Sequence, residues 1–203
     1  MKRSNYYDRY QHFLNLKLDK VESFRQIKKW SNGRKKIIDL GCGVGYLTNY
    51  LEGVGFDNNK EVIEKAKKLF PKTKFILADL SQKLPLKKKE VDCFVCYNLL
   101  EHLKDMCREK LFGEIRRTLT SDGILIVAYL DETFWFNRLL AVFMPNYGIK
   151  DPTHLVSWSP EDLRTELKKH FKILKENKTS QYGRSIFLTR FLKGEMLYLL
   201  KLK

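Results

Sequence analysis

Three groups of residues in this 203-residue chain have types and spacings that suit chemistry. The first is Asp39-Leu40-Gly41-Cys42-Gly43-Val44-Gly45-Tyr46, directly after the apolar pair Ile37-Ile38. Glycines at alternate positions let a backbone turn sharply and approach a ligand closely. A dinucleotide-binding turn would need its third glycine at position 46, where tyrosine stands, and it would offer amides to a pyrophosphate. Asp39, two residues before the first glycine, would repel that anion and attract a cationic amino group instead. The second group is Asp57 and Asp79, each closing a short apolar run. The third is Glu101-His102, together with His154 in the turn Asp151-Pro152-Thr153-His154. A histidine titrates near pH 6.5, so His154, in a polar turn flanked by apolar residues, is a candidate general base. It could equally make a structural hydrogen bond that pins its loop. His102 reads either as a substrate-facing or catalytic group or as a helix-start residue bonded to local backbone. Cys93-x-x-Cys96 has a metal-like spacing, but strand geometry sends those side chains to opposite faces and no second pair completes a set, so no metal site is expected.

These groups need elements to position them. Residues 5–30 read as a helix with Leu14, Leu18, Val21, Phe24 and Ile27 roughly on one face, a cover over the core; the cluster Tyr6, Tyr7 and Tyr10 at its start suits helix packing or part of a lid over the ligand. Ile37-Ile38 suits a buried parallel strand. Tyr46 to Leu51 begins a short helix, and Val54-Gly55-Phe56-Asp57 reads as a second strand. In a sheet of this kind an acid there lies beside the first turn, where it can accept from ribose hydroxyls with Asn58 as its neighbour; a helix cap is the competing reading. Asn59 to Phe70 is the next helix, with Val62, Ala66 and Leu69 on one face and a stop at Pro71. Phe75 to Ala78 is a third strand and Val91 to Tyr97 a fourth. A helix from Met106 to Leu119 buries Leu111, Ile115 and Leu119, then Ser121-Asp122-Gly123 turns the chain into a fifth strand, Ile124 to Tyr129. Ser159-Pro160-Glu161-Asp162 is a capped helix start, and Phe171 to Leu174 and Ser185 to Phe191 read as two last strands. This alternation predicts a single α/β, Rossmann-like, doubly wound domain over 1–203. Its ligand belongs at the strands' C-terminal ends.

Asp-x-Gly-x-Gly-x-Gly after a strand, Asp57, Asp79 and Asn98-Leu99-Leu100-Glu101-His102-Leu103 come in the order that resembles the class I S-adenosylmethionine-dependent methyltransferases, and more closely their small-molecule type. The resemblance covers about residues 30–130. It implies a mostly parallel seven-stranded sheet with one antiparallel strand near the C-terminus, an N-terminal helical cover over 1–33 and a lid insertion over 131–158. It implies S-adenosyl-L-methionine as cofactor, held by Asp39, Gly41, Cys42, Gly43, Gly45, Tyr46, Asp57, Asn58 and Asn98. Asp79 would accept from the adenine amino group, with Leu80 packed on the ring. The implied reaction is in-line displacement at the methyl group, which needs positioning more than a catalytic residue. His154 and His102 are the candidates if the acceptor must lose a proton.

Charge bounds the partners. The chain carries 39 Lys and Arg against 24 Asp and Glu, for a net charge of +15, yet residues 37–59 hold Asp39, Glu52 and Asp57 and no basic residue. A basic surface suits anionic partners such as nucleic acid, phosphorylated metabolites or lipid headgroups, but equally serves solubility. An RNA or protein methyltransferase is therefore a competing reading, against which stands Tyr97-Asn98-Leu99-Leu100 in place of an Asn-Pro-Pro-Tyr-like motif. A cofactor-binding subunit without catalysis is the third reading. Phe134-Trp135-Phe136, Leu139 to Met144 and Trp158 suit a largely apolar acceptor, a dry lid or a membrane-facing patch, and the competing reading is a plain buried helix hairpin. The run from Phe134 to Met144 is too short to span a bilayer, the polar N-terminus does not resemble a signal peptide, and a cytoplasmic protein is expected. The tail from Phe191 to Lys203 suits either a membrane surface or packing at the sheet edge.

Overall fold

Ile37–Leu40 (β1) lies at the heart of a seven-stranded sheet of order β3-β2-β1-β4-β5-β7-β6, and all four of its residues are buried. The computed structural model describes residues 18, 21–131, 134–135, 153–179 and 194–203. Before β1 runs α1 (Glu22–Ser31); after it come α2 (Tyr46–Leu51), β2 (Val54–Asp57), α3 (Lys60–Leu69), β3 (Lys74–Leu77) and β4 (Val91–Tyr97). A 3-10 turn (Leu100–His102), α4 (Asp105–Thr118), β5 (Leu119–Leu130), α5 (Pro160–His170), β6 (Phe171–Thr179) and β7 (Glu195–Leu202) complete the described chain. β1 pairs in parallel with β2 and β4, β2 with β3, and β4 with β5, whereas β7 runs antiparallel to both β5 and β6.

The two faces of the sheet are covered separately. On one, Phe24 and Ile27 of α1 and Leu47 and Leu51 of α2 pack on Ile37, Cys93, Val95, Ile126 and Leu199. On the other, Leu111, Phe112 and Ile115 of α4 and Leu163 and Leu167 of α5 pack on Leu40, Phe94, Cys96, Val127 and Tyr198. Cys93 and Cys96 therefore point to opposite faces, as strand geometry requires, and each is a core thiol pushed up in pKa by burial. Phe112 and Leu111 are fully buried, and truncating such a phenylalanine to alanine costs about 3–5 kcal/mol.

Several elements differ from the expectation. Of the long N-terminal helix the structure describes α1; residues 5–17, with Leu14 and the tyrosine cluster Tyr6, Tyr7 and Tyr10, lie outside the described residues. In α3, Ile63 rather than Leu69 joins Val62 and Ala66 in the buried stripe, because the helix ends at Leu69, which is 37% exposed. Leu119 is buried, but as the first residue of β5 rather than on α4. Ser121-Asp122-Gly123 lies within β5: Leu119 pairs with Val91 and Ile124 with Cys93, so the intervening residues are taken up by an irregularity of the strand in which Ser121 and Asp122 face solvent.

The C-terminal tail is the largest correction. The tail expected on a membrane surface or packed at the sheet edge is instead β7 over Glu195–Leu202, inserted between β5 and β6 with its first six residues buried. The run Met196-Leu197-Tyr198-Leu199-Leu200 is continuous because both faces of an inner strand are covered. The edge falls to β6, whose Lys172, Lys175 and Glu176 discourage further pairing. The strand expected at Ser185 to Phe191 lies outside the described residues, as do most of 131–158 and the segment from Leu139 to Met144. Among the described residues no helix is long and apolar enough to cross a membrane.

Candidate cofactor and acceptor site

Because β1, β2, β3 and β4 are parallel neighbours, their C-terminal ends bring four loops to one edge of the sheet. Asp79, Asp57, the glycine turn and Asn98 follow one another along that edge in the strand order β3-β2-β1-β4. Three strand spacings separate the outer two, roughly 14 Å. The order reverses between β1 and β4, which opens the crevice where ligands of such sheets bind.

The glycine turn is tied to β2. Gly41 and Cys42 donate their backbone N–H groups to the Phe56 carbonyl at 2.8 and 3.0 Å, and Gly43 donates to Asp57 Oδ2 at 3.0 Å. The three glycines have different reasons to be there. All have positive φ, but a Cβ at Gly41 would lie 2.7 Å from Leu99 Cδ1 and one at Gly45 would lie 2.4 Å from Phe75 Cζ. At Gly43 a Cβ would meet nothing within 4 Å. Gly41 and Gly45 are demanded by packing, whereas Gly43 turns its bare Cα toward open space.

Asp57 is nearly buried and uses both carboxylate oxygens, Oδ2 on Gly43 N and Oδ1 on Asn59 N at 2.9 Å. The cap of α3 is Asn59, whose side chain accepts from Glu61 N and Val62 N, so Asp57 joins the glycine turn to the next helix rather than capping that helix itself. Burial raises its pKa, and the N–H groups of Asn59, Gly43 and Asn58 partly offset that rise. Asn58 is exposed beside it.

Asp39 sits beneath the turn at 2% exposure, where its Oδ2 accepts from Thr48 Oγ at 2.6 Å. Burial lifts its pKa to about 7, the Thr48 hydroxyl pulls against that, and Asp57 adds to it. Burial, with Asp39 and Asp57 nearby, pushes the half-buried Cys42 thiol well above its ordinary value, which disfavours the thiolate. Tyr46 is half-buried and packs edge-on against Phe70. Thr48 was not foreseen; only its place on the inner face of α2 marked it.

Asp79 is exposed, its Oδ1 accepting from Ser81 N and Oγ at 2.8 and 2.7 Å, which lowers its pKa. Leu80 belongs to the hydrophobic core at 5% exposure. Asn98 has φ of +46°, a left-handed conformation that asparagine tolerates better than most residues. Its amide N–H donates to the Ala128 carbonyl, and its buried Oδ1 has no hydrogen-bond partner among the described residues.

On the far side of Asn98 the chain makes the 3-10 turn that carries Glu101 and His102. Leu155 N and Val156 N both donate to the Glu101 carbonyl, at 2.8 and 3.4 Å, which draws 153–156 onto that turn. Tyr129 Oη accepts from Trp158 N at 2.7 Å and donates to Trp158 O at 3.0 Å, and the Arg108 guanidinium covers the Trp158 ring. The result is a meeting of His102 and His154, edge to face with ring centroids 4.6 Å apart, with Thr153 Oγ 3.0 Å from His102 Nδ1. Fifty-one positions separate His102 from Thr153. No local pattern announced the contact.

With this geometry in place the chain can be compared with known proteins. Residues 38–127 match the family model of the methyltransferase domain. This match spans less than half of the chain, and over it the chain is similar to S-adenosylmethionine-dependent methyltransferases. It is 31% identical over 105 residues to the ubiquinone/menaquinone biosynthesis C-methyltransferase UbiE of Campylobacter jejuni, covering 45% of this chain and 43% of that protein. It is 27% identical over 111 residues to the carboxy-S-adenosyl-L-methionine synthase of Helicobacter pylori, covering 51% of this chain and 46% of that one. The chain thus matches less than half the length of these curated relatives. A SAM-dependent methyltransferase from Archaeoglobus fulgidus shares the fold with a TM-score of 0.72 at 18% identity, over 97% of this chain and 99% of that one.

S-adenosyl-L-methionine, the cofactor of this family, fits what the methyltransferase domain offers. The open side of Gly43 leaves room for a ligand against the backbone, and the buried Asn98 Oδ1 has no hydrogen-bond partner among the described residues.

Proposed function

We propose that the domain binds S-adenosyl-L-methionine along the ends of β1 to β4 and moves its methyl group to a small acceptor held between Asn98 and the 153–158 segment. The observation that carries this reading is the alignment of Gly43, Asp57, Asp79 and Asn98 on adjacent strand ends, with the Gly43 amide fixed by Asp57. When bound, the cofactor supplies an activated methyl on a sulfonium. The protein's own residues supply position. Asp57, already oriented by two backbone N–H groups, keeps lone pairs for ribose hydroxyls; Asp79 and the exposed Asn58 flank the adenine end. Asn98 Oδ1 accepts from a donor on the ligand. Asp39 acts from below through its field and through Thr48, since its carboxylate is not at the surface.

The acceptor side in this reading is bordered by His102 and His154, and by the exposed Leu155 next to them. This supports an acceptor with an apolar body and a polar reacting end. His154, half-buried and held against His102, takes a proton from an acceptor that must lose one.

Calorimetry with S-adenosyl-L-methionine and with S-adenosylhomocysteine tests the first half, and transfer of a labelled methyl to phenols, amines, lipids and RNA tests the second. Saturable cofactor binding with transfer to a small phenol, amine or hydroxy compound is the expected result. Binding without transfer to any of them would make the chain a silent cofactor-binding subunit, and transfer to RNA with a steep salt slope would move the acceptor class to nucleic acid.

A further inference from the structure

Glu101, His102 and His154 each offer one carboxylate oxygen or ring nitrogen, and these three atoms lie within 4.8 Å of one another. We propose that they form a divalent-cation site on the acceptor side of the cleft, and that its open positions take an oxygen of the acceptor; with the cation bound His154 is a ligand, and the cation rather than His154 promotes loss of the acceptor's proton. This rests on the proposed methyl-transfer function for the role of the cation, but not for its binding.

Two imidazoles and a carboxylate are a donor set for zinc and for other first-row divalent ions, and three protein ligands leave positions open for water or substrate. Donors about 2.1 Å from one ion stand at most roughly 4.2 Å apart, so the present spacing closes with small side-chain rotations. The charge also fits. Glu101 is 1% exposed, and a carboxylate held that deep beside two imidazoles favours a cation between them. The ring of His102 is oriented in the way metal-bound histidines commonly are: Nδ1 faces Thr153, with Oγ at 3.0 Å and the carbonyl at 3.4 Å, so a proton held there leaves the lone pair on Nε2. The scaffold is rigid on both sides, since the Glu101 carbonyl accepts from Leu155 N and Val156 N and thereby sets His154 against His102.

A second grouping, Glu109, Glu166 and His170, supplies a control. There His170 Nε2 already lies 3.1 Å from Glu109 Oε1 and Lys169 Nζ lies 2.6 Å from Glu166 Oε2, so its acids are engaged with basic partners.

The test is calorimetric titration of the full chain with manganese(II) and zinc(II) chloride, with and without S-adenosyl-L-methionine. One equivalent should bind, and His154→Ala and Glu101→Gln should each weaken it at least tenfold, while Glu109→Gln leaves it within twofold. His154→Gln stands in if the alanine variant loses its thermal transition. Absence of saturable binding by the native chain, binding undiminished in the His154 and Glu101 variants, or loss in Glu109→Gln instead would overturn the site. Cofactor binding without metal binding would sink this inference alone, whereas metal binding without cofactor binding would sink the methyl-transfer reading and leave the cation site standing.

Discussion

The backbone N–H of Gly43 donates to Asp57 Oδ2 at 3.0 Å, joining the turn after the first strand to the end of the second. The other Asp57 oxygen holds Asn59 N, so one carboxylate fixes two loops that flank the cleft. Asp57→Ala removes both acceptors, and a buried donor left unmatched costs about 1–3 kcal/mol. The expected result is a folded protein with a thermal midpoint lower by several degrees and S-adenosyl-L-methionine affinity reduced at least tenfold by calorimetry. Unchanged affinity would remove Asp57 from the site.

The glycines separate packing from binding. Gly45→Ala drives a Cβ to 2.4 Å from Phe75 Cζ, and that ring sits in a core with Ala66 and Ile63, so this variant should lose soluble expression or melt far below the native chain. Gly43→Val faces open space and pays mainly for its left-handed backbone, roughly 1–2 kcal/mol. It should keep a cooperative melt while losing cofactor binding. If Gly43→Val bound the cofactor normally, the cleft would have to be placed elsewhere.

Such contrasts show which parts of the molecule the sequence declared. Ser159, Pro160 and Asp162 announced a helix start, and the capping box is there because its signals lie within four residues. Asp57 was legible by the same logic: a short strand ending in an acid must bring that acid next to the preceding turn when the strands are parallel. Distant approach was not legible. His154 meets His102 only through backbone bonds from Leu155 and Val156 to Glu101, and nothing in either segment encodes the other's position. The last strand failed for a different reason. Leucines mixed with lysines in a short tail suit a surface helix or a strand equally well, and the choice is made by β5 and β6, which leave an unfilled place between them. Glu101 stood among the residues suited to chemistry, but nothing in the sequence showed that its carbonyl would accept from Leu155 N and Val156 N.

Asp39 gives the free protein a pH dependence whose sign is fixed. Its pKa is about 7 in the folded chain, against roughly 3.9 when unfolded. Between those values the folded state binds more protons, so stability falls as pH rises from about 4 to about 7, by at most about 1.4 kcal/mol per pH unit from this group. Asp39→Asn removes the titration, so its stability relative to the native chain should improve steadily over that window and level off above it. Urea unfolding of both chains at four pH values measures this, and parallel profiles would show that Asp39 ionises normally. Thr48→Val deletes the hydrogen bond that opposes the shift and should deepen the fall seen in the native chain.

Tyr129 Oη accepts from Trp158 N at 2.7 Å and donates to Trp158 O at 3.0 Å, so one hydroxyl satisfies both backbone groups of the residue that anchors the His154 segment. Tyr129→Phe leaves the ring in the core and removes only that clasp, at a cost of about 1–3 kcal/mol for the two freed groups. The segment keeps its bonds to Glu101, so the variant should fold. Amides of Leu155 to Trp158 should exchange with deuterium at least tenfold faster, and the acceptor KM should rise while S-adenosyl-L-methionine affinity stays within twofold, because the clasp lies on the acceptor side and touches none of Gly43, Asp57 or Asp79. His154→Ala in the same assay should lower turnover far more than it lowers cofactor affinity. A Tyr129→Phe chain with native exchange and native KM would mean that the segment is held in place by Glu101 and Arg108 alone.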